Sequence, residues 1–187
     1  MWYNVENRIY TEEGKAMNDF NVLISKKQIE NRVKELARQI SLDYKDTQPV
    51  IICMLKGAIY FFADITQNLD LSFTIDFARL SSYKSSTVGG EIESICKITT
   101  DIKNKHVLII EDIIDSGKTL NYFMKELEKM GPASVKLCAL LDKPSRRVLP
   151  VNIDYLGFEI EDKFIVGYGL DFDERYRELS FIAELEQ

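Results

Sequence analysis

The chain has 187 residues, with 24 Lys and Arg against 30 Asp and Glu, and so a formal net charge of −6. At 45% hydrophobic and 29% charged it has the make-up of one globular domain with a proper core, which excludes a disordered or low-complexity chain. The acidic balance argues against a broad nucleic-acid-binding face, no stretch reaches the roughly 18 apolar residues that span a bilayer, and the start MWYNVENRIYTEEGK is too charged for a signal peptide. A cytoplasmic protein with no nucleic-acid or membrane partner is expected.

Ser25-Lys26-Lys27-Gln28 has the form of a capping box, and Ile29, Val33, Leu36 and Ile40 follow at helical spacing, which predicts a long amphipathic helix. Residues 50–55 form a continuous apolar run suited to a strand buried on both faces. It ends at Lys56-Gly57, and residues 58–69 read as a second helix. Residues 71–80 alternate in part (Phe73, Ile75, Phe77) and predict another strand, after which 81–90 (SSYKSSTVGG) is too polar to pack a core. Residues 106–110 are a further buried strand. It turns at 111–116 into a helix with Leu120, Phe123, Met124, Leu127 and Met130 on one face, stopped by Gly131-Pro132. Residues 135–141 make a third buried strand ending at Asp142-Lys143-Pro144, and 154–158 and 164–166 are shorter candidates. The stretch before Phe20 carries no assignable motif.

Strands alternating with helices predict an α/β fold, a twisted and mainly parallel sheet with helices on both faces. Ligands of such sheets sit outside the carboxyl ends of the strands. Three polar segments converge there: Lys56-Gly57, residues 111–119, and Asp142-Lys143. Cys53, Cys96 and Cys138 form no CxxC pair, so a zinc site or disulfide framework is disfavoured, and Cys53 and Cys138 read as reduced core thiols. His106 opens a strand with no nucleophile beside it, which disfavours Ser-His-Asp and Cys-His chemistry.

Residues 107–119 (VLIIEDIIDSGKT) are the most informative segment. A buried strand feeds two carboxylates and then a small-residue turn that opens a helix. Consecutive backbone amides at such a turn favour an anion, helped by the helix dipole. Gly117 allows close backbone approach, while Ser116 and Thr119 add hydroxyl donors, which together describe a monophosphate cradle. Gly117-Lys118-Thr119 also matches the tail of the P-loop pattern GxxxxGK[ST], but the first glycine position holds Asp112. A carboxylate there would repel a polyphosphate, and a P-loop kinase or ATPase is rejected.

The same segment resembles the phosphoribosyl-pyrophosphate-binding signature of the type I phosphoribosyltransferases. Leu55-Lys56-Gly57 resembles that family's pyrophosphate loop, Ser81-Ser82-Tyr83 its mobile loop and Lys143 its purine-contacting lysine. Residues 166–177 (VGYGLDFDERYR) resemble the C-terminal signature of its bacterial hypoxanthine (guanine) members. The likeness runs from roughly residue 24 to the end. It implies the type I phosphoribosyltransferase fold as a single domain, residues 1–187, with a small hood formed mainly by about residues 143–187 and the N-terminal segment. The implied reaction is purine salvage: transfer of a 5-phosphoribosyl group from phosphoribosyl pyrophosphate to N9 of hypoxanthine, and of guanine, through an oxocarbenium-like transition state, giving IMP or GMP and pyrophosphate.

The resemblance also implies roles. Lys56 and Gly57 would hold pyrophosphate through backbone amides, at a non-proline cis peptide after Leu55, and Arg177 would grip it with its guanidinium. Glu111 and Asp112 would bind the ribose hydroxyls directly or through Mg²⁺, the implied cofactor. Asp115 would be the general acid/base at purine N7, and Asp115, Ser116, Gly117, Lys118 and Thr119 would hold the 5′-phosphate. Lys143 would donate to the purine 6-oxo group, Phe164 would stack on the ring, and Ile165 and Asp171 would make edge contacts, Asp171 also reaching a second Mg²⁺. Ser82 and Tyr83 would belong to a lid that keeps water from the reacting centre. The implied partners are phosphoribosyl pyrophosphate, a 6-oxopurine and further copies of the chain, as a homodimer or homotetramer. Two alternatives stay open. A transferase of the same fold acting on xanthine or a pyrimidine is opposed by the 166–177 block. A non-catalytic regulator that binds nucleic acid is opposed by Asp115 and the net charge.

Overall fold

The computed structural model of the protein describes residues 3–5, 8–10, 16–82, 92–96 and 98–185. The chain begins with β1 (Tyr3–Val5), β2 (Arg8–Tyr10) and β3 (Ala16–Asp19), an antiparallel sheet in the stretch without a motif. β4 (Asn21–Ile24) leads to α1 (Lys26–Asp43), whose capping box forms as predicted: the Gln28 amide donates to Ser25 Oγ at 3.4 Å and the Ser25 amide to Gln28 Oε1 at 3.0 Å. Ile29, Val33, Leu36, Ala37 and Ile40 form the buried stripe of α1.

The central sheet is laid down by β5 (Val50–Met54), α2 (Ile59–Asn68), β6 (Thr74–Ser82), β7 (Ile92–Cys96), β8 (His106–Ile114), α3 (Lys118–Lys129), β9 (Ser134–Asp142) and β10 (Tyr155–Glu159). Its order is β10-β9-β8-β5-β6-β7, with the first five strands parallel and β7 antiparallel at the edge. Val50 to Met54, Val107 to Ile110 and Leu137 to Leu141 are all buried, as continuous apolar runs in a covered parallel sheet should be. Two strands differ from expectation: β6 runs from Thr74 to Ser82 rather than over 71–80, and β8 is longer than predicted. The strand over 106–110 does not turn at Glu111 but runs to Ile114, because pairing with β9 continues through Ile113↔Leu141 and Ile114↔Asp142 and Ile114 is buried.

β11 (Ile165–Val166) and β12 (Ile182–Glu184) complete a second sheet of order β11-β12-β4, antiparallel throughout. Val166, Leu179, Phe181 and Ala183 form its small core, with Phe20 set edge-on against Tyr176 and Phe181 at 5.9 and 5.8 Å. The N-terminal and C-terminal parts of the chain thus meet in one layer, where the hood is expected. Cys53 and Cys138 are free and buried, and His106 pairs its Nδ1 with Ser134 Oγ at 2.8 Å, a structural role for each. Among the described residues no helix is long and apolar enough to cross a membrane.

Candidate active site

The carboxyl ends of β5, β8 and β9 bring the predicted residues to one edge of the sheet. After β5 the Leu55–Lys56 peptide is cis. Gly57 follows, and a Cβ there would collide with the Asp112 carboxylate; a Cβ on Gly169 (φ 102°) would in turn strike the Gly57 carbonyl. Three chain segments therefore touch at positions where only glycine fits.

Glu111 and Asp112 stand side by side near the end of β8. Glu111 Oε2 is buried without a hydrogen-bond partner among the described residues. Burial, followed by the neighbouring Asp112 charge, pushes the Glu111 carboxyl well above the carboxylate range. Burial also raises Asp112, against the amides of Ile113 and Asp112 and the Arg177 charge, and Asp171 adds to the rise. Such a pair favours either a proton or a cation. No group of three or more His, Cys, Asp or Glu side chains is arranged for a metal among the described residues. Two carboxylates suit a hard ion that takes its other ligands from substrate and water.

The turn from β8 into α3 is built from beneath by residues 148–151. The amides of Val148 and Leu149 both donate to the Ser116 carbonyl at 3.0 Å, and Asn121 Nδ2 bridges the carbonyls of Gly117 and Pro150 at 3.1 and 2.9 Å. Gly117 caps α3 at φ 77°, where a Cβ would come within 2.6 Å of the Leu149 carbonyl. A pocket of about 180 Å³ opens above this turn, lined by Glu111, Ile113, Ile114, Asp115, Ser116, Gly117, Thr119 and Leu120. Lys118 is exposed and does not line it; its amide donates to Ser116 Oγ at 3.4 Å. Asp115 Oδ1 accepts from Arg146 Nε at 2.7 Å, and Arg146 also reaches Asp162 at 3.3 Å. Arg147 pairs with Asp142.

A second cluster gathers on the C-terminal arm. Arg177 donates to the Gly169 carbonyl at 2.7 Å, to Asp171 Oδ1 at 2.8 Å and to Glu174 Oε2 at 3.0 Å. Glu174 Oε1 accepts from Lys56 Nζ at 2.9 Å. Tyr168, Asp173, Glu174 and Tyr176 all have positive φ, a concentration of left-handed non-glycine residues that is uncommon outside functional loops. Lys143 is buried at 8% exposure. It donates one proton to the Lys163 carbonyl at 2.5 Å, which leaves donors of its ammonium for another acceptor. Phe164 meets Phe172 edge-on at 5.4 Å, with the two rings 38% and 50% exposed. Ile165 is buried in β11 opposite Glu184. Ser82 ends β6; its side chain and Tyr83 lie outside the described residues.

Glu174 and Arg146 hold key positions that the sequence reading left without a role. The available signal was charge matching. Arg146 follows Lys143 by one helical turn, and Glu174 is one of two acids between Asp171 and the anion-seeking Arg177.

This edge, with a half-buried acid pair beside an anion cradle on a five-stranded parallel sheet, is that of a phosphoribosyltransferase. The family model of the phosphoribosyl transferase domain matches residues 23–173, and the chain belongs to that family. It is 45% identical over 166 residues to the hypoxanthine-guanine phosphoribosyltransferase of Bacillus subtilis (strain 168), covering 88% of this chain and 92% of the relative. Among solved structures it is similar to a hypoxanthine-guanine phosphoribosyltransferase from Bacillus anthracis, with a TM-score of 0.84 and 42% identity over 89% of this chain and 98% of the other. A hypoxanthine phosphoribosyltransferase from Staphylococcus aureus gives a TM-score of 0.85 at 39% identity, over 89% and 91%.

Proposed function

We propose that the protein is a hypoxanthine-guanine phosphoribosyltransferase of purine salvage, moving the 5-phosphoribosyl group of phosphoribosyl pyrophosphate to N9 of hypoxanthine or guanine. The observation that carries this reading is the junction of the Glu111–Asp112 pair with the Asp115–Thr119 cradle at one strand end. The names of the relatives supply the substrates. The amides and hydroxyls of residues 115–119 hold the 5′-phosphate. Lys56, Gly57 and Arg177 hold the pyrophosphate, for which a guanidinium fork is suited. Lys143 donates to the 6-oxo group, Phe164 stacks on the purine, and Ile165 and Asp171 bound its edge. Asp171 would reach a second Mg²⁺, and Glu111 and Asp112 would hold one that supplies charge neutralisation for the departing pyrophosphate. The raised carboxyls and the orphaned Glu111 oxygen fit that ion.

Bond cleavage at the anomeric carbon leaves positive charge on the ribose and negative charge on pyrophosphate, so the site works by alignment and by fixed opposite charges. Asp115 moves the proton at purine N7, with Arg146 orienting its carboxylate. Ser82 and Tyr83 would close over the centre, and the enzyme would act in the cytoplasm as a homodimer or homotetramer. The test is a base-selection assay with Mg²⁺, phosphoribosyl pyrophosphate and hypoxanthine, guanine, xanthine, adenine or uracil in separate reactions. IMP and GMP form, and Asp115→Asn lowers kcat by roughly 10²- to 10⁴-fold, the range of a lost general acid/base. Nucleotide from none of the bases overturns the reading.

A further inference from the structure

The Arg177 guanidinium assigned to pyrophosphate and the Lys56 ammonium, carried by the loop whose amides are assigned to the same group, are both bound to one carboxylate. Glu174 Oε1 accepts from Lys56 Nζ at 2.9 Å and Oε2 from Arg177 Nη2 at 3.0 Å. The two oxygens of one group thus span two cations from separate segments, Lys56 lying 118 residues before Glu174 in sequence and Arg177 on the same arm as Glu174. The backbone of Glu174 is anchored separately: its amide donates to Asp171 Oδ2 at 3.0 Å, and its φ is 60°. Its side chain is 61% exposed, so it can swing to solvent without moving that backbone or uncovering core.

We propose that Glu174 is an internal stand-in for pyrophosphate, holding Lys56 and Arg177 in the free protein and yielding both to phosphate oxygens when the substrate binds, and so setting the affinity for this group. The inference rests on the reading above that Lys56 and Arg177 face pyrophosphate. Two opposite charges at contact hold each other, and a polyanion entering the same place meets the carboxylate as a like charge. Binding must therefore exchange two ion pairs rather than form them anew. The exchange lowers affinity for phosphoribosyl pyrophosphate, and equally for the pyrophosphate product, whose departure the returning carboxylate assists. Glu174 is a positioning residue in this scheme, since it acts through Lys56 and Arg177 and not on the reacting atoms. Purine binding, built from Lys143 and Phe164, is untouched.

The experiment is a calorimetric titration of the full chain with inorganic pyrophosphate and Mg²⁺, comparing wild type, Glu174→Gln and Asp173→Asn, alongside steady-state kinetics. Asp173 is the adjacent acid and makes no ion pair among the described residues, so it controls for net charge. Glu174→Gln is expected to bind pyrophosphate roughly two- to tenfold more tightly, the scale of exchanging exposed ion pairs. Its KM for phosphoribosyl pyrophosphate falls in parallel, its KM for hypoxanthine is unchanged, and Asp173→Asn matches wild type. Equal or weaker pyrophosphate binding by Glu174→Gln overturns the inference, as does an equal gain in Asp173→Asn. The titration needs no turnover, so a wild type that binds pyrophosphate but forms no nucleotide would sink the functional reading while leaving this test intact. A wild type that binds no pyrophosphate would overturn the inference.

Discussion

Glu111 places a carboxylate oxygen where no donor of the described chain reaches it, one residue from a second acid whose charge opposes its own. A folded protein tolerates this arrangement only where function requires it, because a buried, unpaired, like-charged group opposes folding. Glu111→Gln removes the charge and the repulsion while keeping the shape. It should stabilise the ligand-free protein by about 0.5–2 kcal/mol at pH 8, in the range of substitutions that relieve strained sites. The sign follows from linkage: a carboxyl raised in the folded state costs stability once ionised, so the gain shrinks as pH falls and the wild-type group protonates. Transfer activity should fall at least 100-fold in the same variant. Thermal melts at pH 8 and 5 with a parallel IMP assay check both halves; a lower Tm at pH 8 would show that the oxygen is not a burden.

The elements around the site are held together by contact of backbones. Gly57 after β5 lies under the Asp112 carboxylate at the end of β8, and its carbonyl lies against Gly169 of the C-terminal arm. Gly57→Ala should therefore displace Asp112 and part the two loops, costing about 1–3 kcal/mol as other overpacking changes do and raising the KM for phosphoribosyl pyrophosphate at least tenfold. Gly131→Ala gives the contrast. Its φ is 71°, but the nearest atom to an added Cβ is Lys103 Cγ at 3.9 Å. It should cost about 1 kcal/mol of backbone strain and leave both KM values alone; a matching KM change would break the argument. The same elements show what was legible in the sequence. β5, the first half of β8 and β9 were plain because doubly buried strands are unbroken apolar runs, and α1 because its cap is local. The extension of β8 past Ile110 was hidden, since Glu111 and Asp112 interrupt the apolar run without interrupting the ladder to β9. β11 was legible as a short candidate at 164–166, but β4 and β12 have four and three residues, and β4 pairs with β12 from the other end of the chain; a bond such as Asn21 to Glu184 spans 163 residues. Nothing local could announce it. The cradle at 115–119 was readable from residue type and order. Lys143, Phe164 and Arg177 acquired roles only through the family resemblance, because their partners are distant in sequence.

For the whole molecule, fold stability and function draw on carboxyls that the fold shifts in opposite directions, Asp76 downward and Glu111 and Asp112 upward. Asp76 on β6 is 8% exposed, and its oxygens accept from the amides of Phe77, Thr99 and Thr100 at 2.7, 2.8 and 2.7 Å. Burial alone would raise its carboxyl, but those amides outweigh it and hold it below the ordinary range. A group lowered in the folded state contributes stability that is complete above its unfolded value, roughly pH 4, and lost as pH falls through the folded one. Glu111 and Asp112 contribute in the reverse direction, so the acid limb of the stability curve belongs to groups such as Asp76 and not to the site. Asp76→Asn turns an acceptor-only oxygen into a donor facing backbone amides. It should lower the unfolding free energy by about 1–3 kcal/mol at pH 7, the cost of leaving buried amides unpaired. The deficit should persist unchanged to about pH 5 and narrow below about pH 4, where the wild type loses the same interaction by protonation. Because Asp76 lies outside the substrate-facing edge, both KM values should stay within twofold of wild type. Urea midpoints between about pH 7 and pH 3, with kinetics at pH 7.5, measure both effects. A deficit of constant size down to the lowest pH would mean that Asp76 acts through its shape, and the assignment of the acid limb to its charge would fall.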